Sequence, residues 1–293
     1  MPVSEVKNLA DTEPVVGPII NDKVRAYPLR ILTLHEIVND GLGSVPVIVT
    51  YCPLCNSAII FDRRLDGKVL DFGTTGKLRH SDMVMYDRQT ENWWQQFLGQ
   101  GIVGEMTGKR LKTIPARLES FANYKKRAPG GDVLVPNDPG MRRYGANPYA
   151  GYDTSPTPFL FQGDLPKGIN PMVRVIVVDG QARSLPLLRE RGRVTQGDMV
   201  STWRAGQNSA LDTRANAQGR DVGNVVVRRT QGGQGDARPG TWSTTSPSPS
   251  STTPFSRAAK STSIERRSAT WAPPGGCRAF ASRLYIADGE PDL

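Results

Sequence analysis

The first 150 residues are a succession of short apolar runs separated by residue pairs that favour tight turns. The pairs Asn21-Asp22, Asp66-Gly67 and Thr107-Gly108 each lie between two such runs, and short turns of this kind join antiparallel strands. Many of the residues in the runs are β-branched, which is typical of strands. Strands are predicted within residues 15–29 (two strands), 45–50, 57–62, 68–72, 83–86, 101–103, 110–114 and 132–135.

A few short helices are predicted among these strands. Ile31, Leu34, His35 and Val38 have the spacing of one helix face, and the residues that follow them are of types that end helices. Consecutive strands with short turns and few helices indicate an α+β fold that is predominantly antiparallel. The other helices are predicted at residues 93–98 and 120–127.

Composition divides the chain into four segments. Residues 1–150 form a β-rich domain, and residues 151–172 are a connection. Residues 173–237 have a globular composition again. Residues 238–293 are biased toward Arg, Ser and Pro and contain too few apolar residues to offset chain entropy. We expect this tail to be disordered, and its sudden bias suggests an out-of-frame end.

A weak internal repeat relates the second globular segment to the first. Residues 19–29 resemble residues 177–187, and the tripeptide Asn56-Ser57-Ala58 recurs at 208–210. Residues 173–237 are therefore interpreted as a degenerate and incomplete second copy. The second copy has no cysteine at the positions that align with the two cysteines of the first copy, so any thiol chemistry belongs to the first copy. In this alignment Cys52 and Cys55 correspond to Arg204 and Gln207.

The charge of the chain belongs mainly to its C-terminal third. The formal net charge is +9, and residues 183–293 carry 16 basic and 9 acidic side chains. A basic chain suggests nucleic-acid binding. However, the N-terminal basic residues alternate with acidic ones, and the C-terminal ones lack interleaved aromatic side chains. We therefore expect no nucleic-acid partner.

Targeting and redox signals are scarce. The sequence has no run of 18 apolar residues, which predicts no membrane-spanning helix. The first residues show no charged segment followed by an apolar one, so no signal peptide is predicted. The three cysteines do not form a disulfide framework.

The sharpest chemical feature is the motif Cys52-Pro-Leu-Cys55 at the end of a predicted strand. Two intervening residues bring both sulfurs within reach of one metal ion or of each other. Thiolates in this spacing bind zinc, or they form a redox dithiol whose reactivity depends on a lowered thiol pKa. The residues after the motif favour a strand, so a helix N-terminus that would stabilise a thiolate is missing. The third alternative is a pair of inert, buried thiols that pack as small hydrophobes.

Few other residues are candidates for further metal ligands or for proton transfer to the thiols. Cys277 lies in the predicted tail, so the two histidines remain. His35 is predicted on the apolar helix face, where it is either a core histidine or a ligand or base near the thiols. His80 precedes a strand and is expected at the surface. Ser81 and Asp82 could line a pocket beside the thiols, although turn hydrogen bonds are the simpler interpretation.

Several motifs together resemble a known family. They are residues 25–30 (RAYPLR), 35–40 (HEIVND), 49–55 (VTYCPLC) and 81–87 (SDMVMYD). These motifs resemble the bacterial and archaeal proteins of domain-of-unknown-function family 3179 over about residues 3–150. The similarity is expected to end near residue 230.

The resemblance implies a cellular location and a type of chemistry, but the family has no established activity. Relatives commonly begin with a signal or lipoprotein segment, which implies an extracytoplasmic (periplasmic or secreted) location. Some relatives carry selenocysteine in the motif, which favours redox chemistry. Relatives have a small polar residue at the position of His80, so a metal site that requires His80 is not implied.

The leading hypothesis is therefore a thiol-redox protein. Cys52 would attack, Cys55 would resolve, and His35 would transfer a proton or stabilise the thiolate. This reaction requires no cofactor, and its redox partner or small ligand is unknown. The runner-up is a metal-binding module that holds zinc or copper(I) through Cys52, Cys55 and His35. A structural or interaction domain with inert cysteines is the third alternative.

Overall fold

The computed structural model describes residues 1–165, 167–178 and 181–230, together with a two-residue strand at 283–284. The expected disordered or out-of-frame tail at 238–293 otherwise lies outside these residues. The first half contains helices α1 (Leu29–His35) and α2 (Phe121–Arg127). Its strands are β1 (Pro14–Ile20), β2 (Lys23–Pro28), β3 (Ile37–Leu42), β4 (Val45–Cys52), β5 (Ser57–Asp62), β6 (Arg64–Leu65), β7 (Lys68–Val69), β8 (Phe72–Arg79), β9 (Asp82–Asp87), β10 (Trp93–Gln95), β11 (Gln100–Val103), β12 (Thr113–Ile114), β13 (Ala116–Ser120) and β14 (Asp132–Val133).

The second half repeats part of this order. A hairpin, a helix and a three-stranded antiparallel meander follow one another, as β1–β2, α1 and β3–β5 do in the first half. An origin by duplication remains a prediction. The elements are β15 (Val175–Val178), β16 (Gln181–Ser184), α3 (Leu185–Arg191), β17 (Arg193–Gln196), β18 (Met199–Arg204), β19 (Asn224–Arg229) and β20 (Arg283–Leu284).

The predicted α+β class is confirmed: the strands pair mostly in antiparallel fashion, and the helices are short. The first half contains three four-stranded sheets, in the orders β13-β1-β2-β14, β12-β5-β4-β3 and β11-β10-β9-β8, and the two-stranded hairpin β6-β7. The exceptions to antiparallel pairing among the described residues are β14 beside β2 and β20 beside β15. No helix among the described residues is long and apolar enough to span a bilayer.

Strand β4 places the motif between two apolar cores. Successive side chains of a strand point to opposite faces, so Val47, Val49 and Tyr51 pack in one core with residues of β1, β2 and α1. Ile48 and Cys52 face the other core, which includes side chains of β8, β9 and β10. The first thiol therefore lies between the second and third sheets.

The predicted helix over residues 31–38 is wrong at its end. Helix α1 stops at His35 because Glu36 adopts a left-handed conformation, with φ 59° and ψ −32°. The carbonyl oxygen of Glu36 accepts a hydrogen bond from the Tyr51 N–H at 2.8 Å. Ile37 then begins β3 opposite Thr50. Tertiary pairing with β4 outweighs the helical periodicity.

The predicted helix at residues 93–98 is also wrong. Trp93–Gln95 forms β10, which pairs with both β9 and β11. Trp94 is fully buried, and its indole N–H donates to Asp87 at 2.8 Å. The helix predicted at 120–127 is confirmed as α2, with the Ser120 side chain accepting the N–H of Asn123 as its N-cap.

Candidate functional site

The two thiols lie on a tight turn between β4 and β5. Cys52 ends β4 and pairs with Ser57, the first residue of β5. The turn closes when the Asn56 N–H donates to the Pro53 carbonyl at 3.1 Å. Asn56 has a φ of 49°, a left-handed conformation that asparagine tolerates better than most residues. The two Sγ atoms are 2.9 Å apart, and the Cys55 N–H points to Cys52 Sγ at 3.4 Å.

A second hairpin brings a carboxylate to the thiols. His80 and Ser81 form the turn between β8 and β9, both with positive φ, 52° and 67°. Asp82 follows, and its Oδ1 lies 2.9 Å from Cys55 Sγ. The Ser81 carbonyl oxygen is 3.7 Å from Cys55 Sγ and 3.9 Å from Cys52 Sγ. Cys52, Cys55 and Asp82 thus form a chain of close contacts.

Burial controls the charge of this cluster. Cys52 is 1% exposed, Cys55 6% and Asp82 2%. Burial raises the pKa of Asp82 to about 6, although hydrogen bonds from Cys55 and from the Phe97 N–H act in the opposite direction. Burial also raises the pKa of Cys55 well above its usual value, and the neighbouring Cys52 and Asp82 add to this rise. The Cys55 thiol therefore holds its proton next to a carboxylate with a raised pKa.

The structure brings Cys52 and Cys55 together, but it does not bring His35 to them. The ligand atoms of Cys52, Cys55 and Asp82 all lie within 4.8 Å of one another, and this is the metal-ligand group found among the described residues. His35 ends α1, and its Nε2 lies 2.8 Å from the Tyr144 hydroxyl, with the two rings stacked. Asp82, and not His35, is the third member of this group, and the ligand set of Cys52, Cys55 and His35 stays a prediction.

His80 lies beside the cluster without joining it. Its Nδ1 is 2.5 Å from the carbonyl oxygen of Gln162, and its ring contacts Phe161. Its contribution is to connect the β8–β9 turn with the chain segment that follows residue 150.

Side chains of that segment also approach the thiols. The Tyr152 hydroxyl accepts the Phe159 N–H at 3.0 Å, and its side chain interacts with Ser81. Burial raises the pKa of Tyr149 to about 12, with smaller contributions from Glu36 and Cys52. Glu36 is hydrogen-bonded to Tyr149, and burial raises its pKa. The surroundings of the thiols therefore include polar groups from three parts of the chain.

The second half contributes a buried arginine behind the thiol turn. With its amide oxygen facing the guanidinium, Asn56 accepts from Arg174 Nη2 at 2.8 Å and Nε at 3.0 Å, and its NH₂ donates to the Tyr51 hydroxyl. Arg174 Nη2 also donates to Ser209 Oγ at 2.8 Å and lies 3.5 Å from Asp153. This network, in which Asn56, Ser209 and Asp153 are buried and the Arg174 side chain is 14% exposed, fixes the residue directly after Cys55.

The sequence indicates the two thiols more clearly than it indicates their partner. Asp82 is a possible pocket residue in the sequence, but turn hydrogen bonds are its simpler interpretation. The signal for Asp82 is a carboxylate that begins a strand directly after a turn. Arg174 gave no signal, because nothing in the sequence near it indicates that it contacts Asn56.

The sheets and the buried dithiol define an antiparallel β protein with a cluster of two thiols and one carboxylate. The chain belongs to the family described as "Protein of unknown function (DUF3179)", whose family model matches residues 1–263. The match continues beyond residue 230, where the similarity was expected to end. No curated protein and no solved structure matches the chain.

Proposed function

We propose that the protein carries out thiol–disulfide exchange, with Cys52 and Cys55 as the redox pair and Asp82 as the proton acceptor. The observation that carries this proposal is the chain of contacts from Cys52 Sγ to Cys55 Sγ to Asp82 Oδ1, each 2.9 Å long. A general base must lie within hydrogen-bonding reach of the proton that it removes. Asp82 meets this condition for Cys55. His35 does not act as this base in the proposal, because its imidazole contacts the Tyr144 hydroxyl instead.

The reaction follows from these contacts. Cys52 releases its proton to solvent, and its thiolate attacks one sulfur of a partner disulfide. A mixed disulfide forms, and the first partner sulfur leaves as a thiolate that takes up a proton from solvent. Cys55 then gives its proton to Asp82, and its sulfur attacks Cys52 Sγ. The second partner sulfur leaves and takes the proton from Asp82. Two electrons pass from the dithiol to the partner, and one disulfide is exchanged for another.

The order of attack is supported by the hydrogen bonds of each sulfur. The one proton of the Cys55 thiol lies against Asp82 Oδ1, whereas Cys52 Sγ accepts from the Cys55 N–H at 3.4 Å, which stabilises negative charge on Cys52. The extracytoplasmic location that the family resemblance implies belongs to this proposal, since disulfides persist outside the cytoplasm.

A metal-binding module is the second candidate, because three ligand atoms of suitable type lie within 4.8 Å of one another. Thiolates select zinc or copper(I). Two thiolates that bind one zinc ion at about 2.3 Å in tetrahedral geometry lie about 3.8 Å apart. Because the two sulfurs are 2.9 Å apart, a bound metal requires the pair to open.

One experiment separates these candidates. The full chain with Cys277→Ser, which leaves Cys52 and Cys55 as its only thiols, is purified without chelator and titrated in glutathione buffers. Thiol exchange predicts one reversible two-electron transition that Cys52→Ser or Cys55→Ser abolishes, and no stoichiometric metal.

The other outcomes contradict the redox proposal. About one equivalent of zinc or copper that is lost in Cys55→Ser would establish the metal module. Two thiols that resist mild oxidants and hold no metal would leave a structural or interaction domain with inert cysteines.

A further inference from the structure

A cavity separate from the thiols lies against the start of α1. Its volume is about 440 Å³, which is within the range of small-molecule sites. Apolar side chains from three parts of the chain form its walls: Val6 and Leu9 near the N-terminus, Ile31 on α1, and Val135 after β14. The cavity can therefore hold a hydrocarbon group away from water.

The charged side chains of this cavity are all cationic. Arg30, Arg142 and Arg143 line it, and none of the described residues that line it is acidic. Arg30 is neutralised by Glu13, which accepts from its Nε at 2.8 Å. Arg142 and Arg143 make no ion pair with another residue in the described part of the chain, so two guanidinium groups remain for an anion.

His35, which the thiol site does not use, contacts one of the residues that line this cavity. Tyr144 lines the cavity, and its hydroxyl is 2.8 Å from Nε2 of His35. Burial lowers the pKa of His35, and the charge of Arg142 lowers it further. Tyr144 thus has a fixed orientation, with its ring stacked on the imidazole, and Arg142 lies close enough to His35 for their charges to interact.

We propose that this cavity binds a small organic anion that consists of a carboxylate or phosphate head and a short hydrocarbon chain. Arg142 and Arg143 hold the head group, since guanidinium groups bind both head groups with paired hydrogen bonds. The apolar walls hold the chain. His35 is a positioning residue that orients Tyr144 at the cavity wall. This site is independent of the proposed thiol exchange.

Calorimetric titration of the full chain with four eight-carbon probes tests the site. The probes are octanoate, octyl phosphate, 1-octanol and octylamine, which share one chain and differ in head group. At least one anion is expected to bind about tenfold or more tightly than 1-octanol, and octylamine is expected not to bind. The comparison between octanoate and octyl phosphate identifies the preferred head.

Variants connect binding to the named residues. Arg142→Gln/Arg143→Gln is expected to weaken binding of the anions about tenfold or more while the affinity for 1-octanol stays unchanged. Both side chains are exposed, so this variant keeps the fold. Arg88→Gln, at another exposed arginine, is the matched control and retains full affinity. Val135→Trp fills the cavity and removes binding of all probes.

Three results would overturn the proposal. They are equal affinity for octanoate, octyl phosphate and 1-octanol, undiminished anion binding by the double arginine variant, and failure of both anions to saturate the protein below about 10 mM. None of them bears on the redox titration, so the two proposals fail separately.

Discussion

Replacing Arg174 by methionine should destabilise the protein by about 2–4 kcal/mol. The change removes two hydrogen bonds to Asn56 and one to Ser209. Asn56 is 7% exposed, so its amide oxygen would remain buried without its donor, which costs about 1–3 kcal/mol. Breaking a buried ion pair costs about 3–5 kcal/mol when one charge is left alone. Asp153 keeps Arg220 at 2.8 Å, so this second contribution is only partly lost.

Urea denaturation followed by tryptophan fluorescence measures this change. At about 2.1 cal/mol/K of unfolding entropy per residue, the melting temperature of a chain of this size should fall by about 3–7 °C. A double-mutant cycle with Asn56→Ala should give a coupling energy of about 0.5–3 kcal/mol, because the two side chains are in direct contact.

The matched control is Arg183→Met. Arg183 is also buried, at 7% exposure, but it makes no hydrogen bond or ion pair with another described residue through its side chain. Its replacement by an apolar side chain should be close to neutral. The reasoning is refuted if Arg174→Met destabilises the protein no more than Arg183→Met does, or if the cycle with Asn56→Ala shows no coupling.

Two further predictions concern carboxylates. Asp82→Asn should slow formation of the intramolecular disulfide about 10²-fold or more, because Cys55 loses its base. Stopped-flow oxidation measures this rate. The control is Asp87→Asn, at a buried aspartate of the same strand, which should leave the rate nearly unchanged. Asp40→Asn should lower the free energy of unfolding by about 1–3 kcal/mol at pH 7. Burial raises the pKa of Asp40, but hydrogen bonds headed by that from Arg25 outweigh it, so the folded pKa is lowered. Stability from this carboxylate is fully present above the unfolded pKa near 4 and is lost as the pH falls through the lowered folded pKa. The difference in unfolding free energy between the variant and the wild type should therefore shrink as the pH falls below about 4. A difference that stays as large well below pH 4 as it is at pH 7 would contradict this explanation.

Local patterns predicted the elements that depend on neighbouring residues. The hairpin around Asn21-Asp22 and the helix α2 behind Ser120 both formed as expected, because a turn pair and an N-cap act over a few residues. The local pattern at Trp93 and Trp94 predicts a helix, since nothing local shows that β9 provides a partner strand. Pairing across the sheet determined the outcome there.

The thiol pair could be predicted because its two members are three residues apart. Asp82 reaches Cys55 through a hairpin turn in which both central residues, His80 and Ser81, have positive φ. Such a turn is usually predicted from a glycine, and neither residue is one. Helix periodicity places His35 on the apolar face of the predicted helix, which predicts a position near the thiols. The left-handed Glu36 ends that helix, and the imidazole contacts Tyr144 instead.

Successive side chains of β4 pack in two different cores, so neighbouring positions of this one strand are constrained in evolution by different sets of residues. Substitutions at Val47, Val49 and Tyr51 must be compensated by changes on the side of β1, β2 and α1. Those at Ile48 and Cys52 must be compensated on the side of β8–β10. In aligned relatives, adjacent positions of this strand should therefore covary with different partners, while positions two apart covary with the same ones.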